Sequence, residues 1–278
     1  MAEVFSRKNP YLGPVKAVIL DWTGTAVDFG SFGKIQPFIE GMQQHWVEIT
    51  AEDVRKYMGL APWDQLAAIV NDEGVLSRWL DVYGEAPSEY DLDRIFRSIE
   101  ALMPQSAAMH SDPVPGLLET VSELRNRDIR IGSTSSFTFQ AMEALSGAAR
   151  EKGYAPDSSV CSTDVPGGRP YPWMCHRNAE NLEVYPMSAI VKVGDTIPDM
   201  EEGLNAGMWT VGVTKTGNYL GMSREEVSAA DEVELRNRID LIGKRFMDAG
   251  ARFVVEGVWD CPAVIEQINL LLAAGEKP

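Results

Sequence analysis

Five short apolar runs, rich in β-branched residues and separated by helix-patterned segments, constrain this chain more than any other feature. They are Val15 to Asp21, Ile129 to Gly132, Ser159 to Cys161, Ile190 to Val193 and Trp209 to Val213. From the second run on, helical spacing alternates with them: Leu117, Leu118, Val121 and Leu124 before the second run, Met142 and Leu145 before the third, Trp173 and Leu182 before the fourth, and Met200 to Asn205 after it. Strands that alternate with helices demand right-handed crossovers and a mostly parallel sheet, and such sheets collect functional groups at the carboxyl ends of their strands. The tail is read as a charged helix from Ser223 to about Gly250, with Arg252 to Glu256 available as one more strand.

The alternation is interrupted once. After Asp28, Ile35, Phe38, Ile39, Met42 and Trp46 recur with the period of a helix that closes near Ile49. Thr50 and Asp53 form a capping box for a second helix, and further helices are predicted around Trp63 to Val70, around Trp79, and from Leu92 to Leu102. Pro104 and then Asp112-Pro113-Val114-Pro115-Gly116 are read as punctuating the end of this block. The fold class is therefore α/β, a Rossmann-like, mostly parallel core over residues 1–29 and 109–278, with an all-helical cap domain inserted at 30–108.

A hydrophobic content of 45% over 278 residues is ample for such a core. The formal charge of −16 argues against nucleic acid and anionic membrane surfaces as partners, though a local basic pocket can still hold a small anion. Cys161, Cys175 and Cys261 have no paired spacing, which suggests reduced thiols and a cytoplasmic protein, and no zinc site is implied. Met1 to Pro14 is polar and lacks an apolar signal core, so a soluble intracellular protein is expected.

Three strand ends carry the chemistry. The first delivers Asp21, followed by the turn Thr23-Gly24-Thr25; the second delivers the hydroxyl cluster Ser133 to Ser136, with Ser135 the best candidate; the fourth delivers Gly194-Asp195-Thr196-Ile197-Pro198-Asp199. Three acids in one small site repel unless a cation sits among them, and oxygen-only ligands with open positions suit Mg²⁺, with Asp195 and Asp199 as ligands. Gly167-Gly168-Arg169-Pro170 reads as a helix start with proline at its first position, which sets Arg169 beside the carboxylates. A guanidinium there pairs with an anionic substrate. Taken singly, each motif also has a plain structural reading as a cap, a turn or a solvated side chain.

Together, and in this order, the motifs resemble those of the haloacid dehalogenase superfamily: Asp21-Trp22-Thr23-Gly24-Thr25 at the first strand, a hydroxyl at the second, a basic residue, then the Asp195/Asp199 pair. Gly168-Arg169-Pro170-Tyr171-Pro172-Trp173-Met174-Cys175 and Gly207-Met208-Trp209-Thr210-Val211-Gly212-Val213 look like the phosphonoacetaldehyde hydrolase (phosphonatase) branch. The resemblance runs from about Val15 to the C-terminus. It implies a hydrolase in which Asp21 attacks phosphorus to give an aspartyl phosphate that water cleaves. It further implies Mg²⁺ held by Asp21, Asp195, Asp199 and the Thr23 carbonyl, and phosphoryl oxygens held by Ser135 and Arg169. Ser136, Lys34, Met58, Gln65 and Phe137 fall at positions around the substrate, which is a small phosphonate or phosphate. A homodimer through the cap belongs to the same expectation.

The sequence also departs from that pattern. Related phosphatases carry a second aspartate two residues after the nucleophile, to protonate an alkoxide; here the residue is Thr23, too weak an acid for that role. Phosphonatases have alanine there and stabilise a carbon leaving group with a cap lysine that forms an imine, after a Met-Gly-Leu turn. The turn is present as Met58-Gly59-Leu60, but the lysine slot is Pro62, the accompanying histidine slot is Gln65, and the tyrosine expected after the second-strand hydroxyls is Phe137. Lys56 reads as a solvated cap lysine, whereas Lys34 is the more interesting stand-in, although the sequence does not favour it. His45, His110 and His176 read as surface or packing residues, and Trp63 and Phe137 as core or pocket lining. The rival readings are a P–O phosphatase or phosphotransferase for a substrate with a good leaving group, and a non-catalytic member that binds a phospho-ligand.

Overall fold

The computed structural model describes residues 10–278. The part of the N-terminal expectation that falls on residues 1–9 lies outside it. The core is one six-stranded sheet built from β1 (Ala17–Asp21), β2 (Arg130–Ser135), β3 (Ser158–Cys161), β4 (Ile190–Gly194), β5 (Trp209–Val213) and β6 (Phe253–Val255). All five pairings are parallel and the order is β3-β2-β1-β4-β5-β6. β1, β4 and β5 are buried along their whole length, which is why their sequences are continuous apolar runs rather than alternating ones. The register sets Leu20 of β1 between Ser133 and Val193, so the polar groups after each strand emerge at one edge.

Between β1 and β2 come the inserted helices α1 (Ile35–Gln43), α2 (Ala51–Arg55), α3 (Pro62–Val70), α4 (Glu73–Tyr83) and α5 (Glu89–Met109), then α6 (Leu117–Asn126). The predicted capping box is formed: Asp53 N–H donates to Thr50 Oγ1 at 3.2 Å and Thr50 N–H to the Asp53 carboxylate at 2.8 Å. α5 packs along α1 and along the core helix α7 (Phe139–Glu151). The remaining helices are α8 (Trp173–Asn181), α9 (Ile197–Asn205), α10 (Arg224–Ala229), α11 (Glu232–Asp248) and α12 (Cys261–Ala273). Every cysteine is free and buried, and no helix of the described residues is long and apolar enough to cross a membrane.

Three local expectations are corrected. Pro104 does not end the helical block but lies inside α5, which runs on to Met109 because Met103 and Ala107 are fully buried on its packing face; one missing backbone donor is tolerated there. The charged tail helix is two helices, broken at Ala230 where Asp231 caps α11 by accepting from Val233 and Glu234. Gly167 to Pro170 does not start a helix: Tyr171 N–H closes a turn on the Gly168 carbonyl at 3.1 Å, and α8 begins three residues beyond Pro170.

Candidate active site

The carboxyl edge of β1, β2 and β4 carries a buried ion network. Asp21 ends β1, and its Oδ1 accepts from Arg169 Nη2 at 2.5 Å. Arg169 enters on the turn before α8 and also meets Asp199 at 3.0 Å, Glu202 at 2.9 Å and the Thr134 hydroxyl at 2.8 Å. The guanidinium thus stands beside the carboxylates as expected, although no helix start delivers it. Lys192, a lone cation in the apolar strand β4, donates to Asp199 at 2.6 Å and lies 3.6 Å from Glu202. Asp199 accepts the Thr196 hydroxyl at 2.6 Å and the Thr196 N–H at 3.1 Å, which caps α9. All five charged side chains are nearly inaccessible to water.

Asp195 faces Asp21 across β1 and β4, with Oδ1 accepting from Thr25 at 3.2 Å and Oδ2 from the Asn218 N–H at 2.8 Å. Gly24 makes the approach feasible: its φ is +82°, and a Cβ there would lie 2.2 Å from an Asp195 oxygen. Asn218 in turn donates from its side chain to the carbonyl of Arg55 at the end of α2, and Arg55 Nη1 returns a bond to Asn218 Oδ1 at 3.1 Å.

These charges do not balance. Four buried carboxylates (Asp21, Asp195, Asp199, Glu202) share two buried cations (Arg169, Lys192), which pair with all of them but Asp195, an excess of two negative charges in the cluster when all are ionised. Burial, then the Asp21 and Asp199 charges, push Asp195 well above the usual carboxylate range. Burial also raises Asp21, against the pull of Arg169. Burial acts the same way on Asp199, but Arg169 and Lys192 outweigh it and hold that carboxyl below its ordinary value. One oxygen from each of Asp21, Asp195 and Asp199 lies within 4.8 Å of the other two, and among the described residues no hydrogen bond reaches the Thr23 carbonyl. An all-oxygen, doubly negative cradle with a free carbonyl fits a divalent cation.

The other sequence-predicted residues divide. Ser135 is buried at the end of β2 with its Oγ accepting from Phe137 N–H at 3.1 Å. Ser136 accepts from Lys34 Nζ at 2.5 Å, and Phe137 lies beneath that amine, 5.2 Å from it. Met58 and Gln65 face each other inside the insert, where Gln65 Nε2 donates to the Val54 carbonyl at 3.2 Å; Gln65 Oε1 is buried without a partner. Trp63 is partly exposed against Phe96, so it lines no enclosed pocket. Lys56 is bonded to Asp72 on the surface, away from the network.

A family model described as haloacid dehalogenase-like hydrolase matches residues 15–207. The chain belongs to the haloacid dehalogenase-like hydrolases. Among relatives of this hydrolase, a phosphonoacetaldehyde hydrolase-like protein of Syntrophobacter fumaroxidans is 55% identical over 99% of this chain and 100% of its own. A phosphonoacetaldehyde hydrolase of the same organism is 48% identical over the same shares. The crystal structure of a phosphonoacetaldehyde hydrolase-like protein from Oleispira antarctica superposes with a TM-score of 0.96 at 36% identity, covering 99% of this chain and 100% of that one. The hydrolase is thus phosphonoacetaldehyde hydrolase-like along its whole described length.

Sequence reasoning missed four members of the site. Lys192 had a legible signal, a charge in the middle of a buried strand. Glu202 had a weaker one: it stands three residues after Asp199 and so shares its helix face. Thr134 and Thr25 look like ordinary polar residues of a strand end and a turn, and only their partners reveal them.

Proposed function

We propose that this hydrolase cleaves a small phosphonate, with Asp21 as nucleophile and Mg²⁺ as cofactor. The observation that carries the reading is the Asp21 carboxylate held at a strand end by Arg169 at 2.5 Å, with Thr23, a residue unable to protonate an alkoxide, two positions on. Arg169 keeps its charge because Asp199, Asp21 and Glu202 outweigh the cost of burying it. It therefore serves both to oppose the burial that raises the Asp21 carboxyl and to bind phosphoryl oxygens, together with the Ser135 hydroxyl. Asp21, Asp195 and the Thr23 carbonyl would hold the ion, with Asp199 completing the acidic set. When bound, Mg²⁺ supplies charge screening and polarises the phosphoryl group.

Asp21 attacks phosphorus, the P–C bond breaks, and water cleaves the aspartyl phosphate to release phosphate and restore the carboxylate. The insert, which we delimit at 30–108, covers this edge and excludes bulk water while the aspartyl phosphate exists. In a screen for Mg²⁺-dependent phosphate release, phosphonates bearing a carbonyl near phosphorus are the expected substrates. Asp21→Asn is expected to lose about 10⁴-fold or more of that release. Full turnover by this variant would remove Asp21 from the reaction.

A further inference from the structure

Lys34 is a buried lysine with no acid to balance it. Only 2% of the residue is exposed, yet it enters no ion pair among the described residues, whereas Arg169 and Lys192 each meet at least two carboxylates. Its Nζ donates to Ser136 Oγ at 2.5 Å and to the Leu60 carbonyl at 3.2 Å, over the face of Phe137. Ser136 follows the last residue of β2, and Leu60 belongs to the Met58-Gly59-Leu60 turn, two residues before Pro62. The amine therefore bridges the core strand end and the turn of the insert. On the insert side its contact is the Leu60 carbonyl, two residues before Pro62 in sequence. Gly59 holds that turn against the core, with φ +99° and no room for a Cβ, which would meet Thr196 Oγ1 at 2.4 Å.

An amine must be uncharged to attack a carbonyl. Burial, then the Arg169 charge, lower the Lys34 pKa to about 7 in spite of Asp21 and Asp199, and the residues that enclose it exclude competing water.

We propose that Lys34 is a catalytic residue whose amine condenses with the carbonyl of a 2-oxoalkyl phosphonate, forming an imine that accepts the electrons of the breaking P–C bond. This rests on the reading of Asp21 as the nucleophile toward a phosphonate. Nζ attacks the carbonyl carbon; the oxygen leaves as water, carrying one proton from the amine and one from solvent, and a protonated imine remains. As Asp21 forms its bond to phosphorus, the P–C pair becomes the C=C bond of an enamine while the C=N pair moves onto nitrogen. The enamine carbon takes a proton from water. A second water adds to the imine and frees the aldehyde or ketone and the Lys34 amine. Ser136 and Leu60 orient Nζ, and Phe137 keeps its surroundings dry.

The test is borohydride trapping on the full chain with Mg²⁺ and phosphonoacetaldehyde, followed by peptide mass spectrometry. The expected result is an N-ethyl group on Lys34 in the unaltered protein and an N-phosphonoethyl group on Lys34 in Asp21→Asn. Lys34→Met, which keeps an unbranched chain of similar size but has no amine, is expected to lose about 10³-fold or more of P–C cleavage while its unfolding midpoint in Mg²⁺ at neutral pH stays near that of the parent. Phosphate release with no Lys34 adduct, or with the adduct on another lysine, overturns the proposal and leaves the phosphonate reading standing. A Lys34 adduct that keeps its phosphonate in the unaltered protein, without phosphate release, supports the amine and sinks the role of Asp21.

Discussion

Glu202 illustrates how much a single side chain carries in this site. Its Oε2 is the acceptor for Arg169 Nε and the second carboxylate near Lys192, so Glu202→Gln leaves two buried cations sharing fewer negative charges. Arg169 keeps Asp21 and Asp199 and Lys192 keeps Asp199, so this variant strands no charge and is expected to lose only the charge-assisted bond, about 1–3 kcal/mol in chemical denaturation. Arg169 would also lose its fixed orientation, so KM for substrate should rise. Lys34 gives a pH signature. Its charge is opposed by burial and by Arg169 and favoured by Asp21 and Asp199, with a folded pKa of about 7 against 10.5 ordinarily. Between those values the unfolded chain holds a proton that the folded one has released, so stability rises with pH across that window. Denaturation at about pH 7 and about pH 9.5 should show a gain of a few kcal/mol for the parent protein, since one proton released on folding is worth about 1.4 kcal/mol for each pH step inside the window. Lys34→Met should flatten it.

At the scale of elements, the strands and the insert were legible because their patterns report burial directly. β1, β4 and β5 are covered on both faces, so their runs are apolar but for Asp21 at the end of β1, Lys192 in β4 and Thr210 in β5, and the capping box at Thr50 announces α2 in four residues. What the sequence hid depends on tertiary context. Pro104 continues a helix because its neighbours on the packing face are buried. Arg169 reaches the carboxylates from a turn, since a side chain with three buried acidic partners selects the backbone path that brings it inward. The Met58-Gly59-Leu60 turn was recognisable as a motif, but its docking on Thr196 at the start of α9 was not. Gly59→Ala tests that docking: a left-handed φ and a 2.4 Å contact should cost about 1–3 kcal/mol. Thermal unfolding would register the loss. Rates should fall with it if the turn aligns Lys34.

For the whole molecule, the doubly negative interior predicts that the metal-free protein is the less stable form. Adding Mg²⁺ after chelation should raise the unfolding midpoint in proportion to the logarithm of free ion, as expected for a ligand of the folded state alone; Asp195→Asn should abolish the rise. A midpoint indifferent to Mg²⁺ would argue against the ion site. The likeness to the Oleispira antarctica protein extends over the whole described chain, insert included, so the arrangement of the two units belongs to the fold itself. Asn218 joins those units: its backbone holds Asp195 while its side chain holds Arg55 of the insert. An ion bound at Asp195 would therefore bias the position of the insert through this residue, and the insert the ion. By reciprocity, whatever factor closure adds to ion affinity, the ion adds to closure. On the proposed reading, metal occupancy and access to Asp21 would be linked through this one residue, and Asn218→Ala should weaken the link.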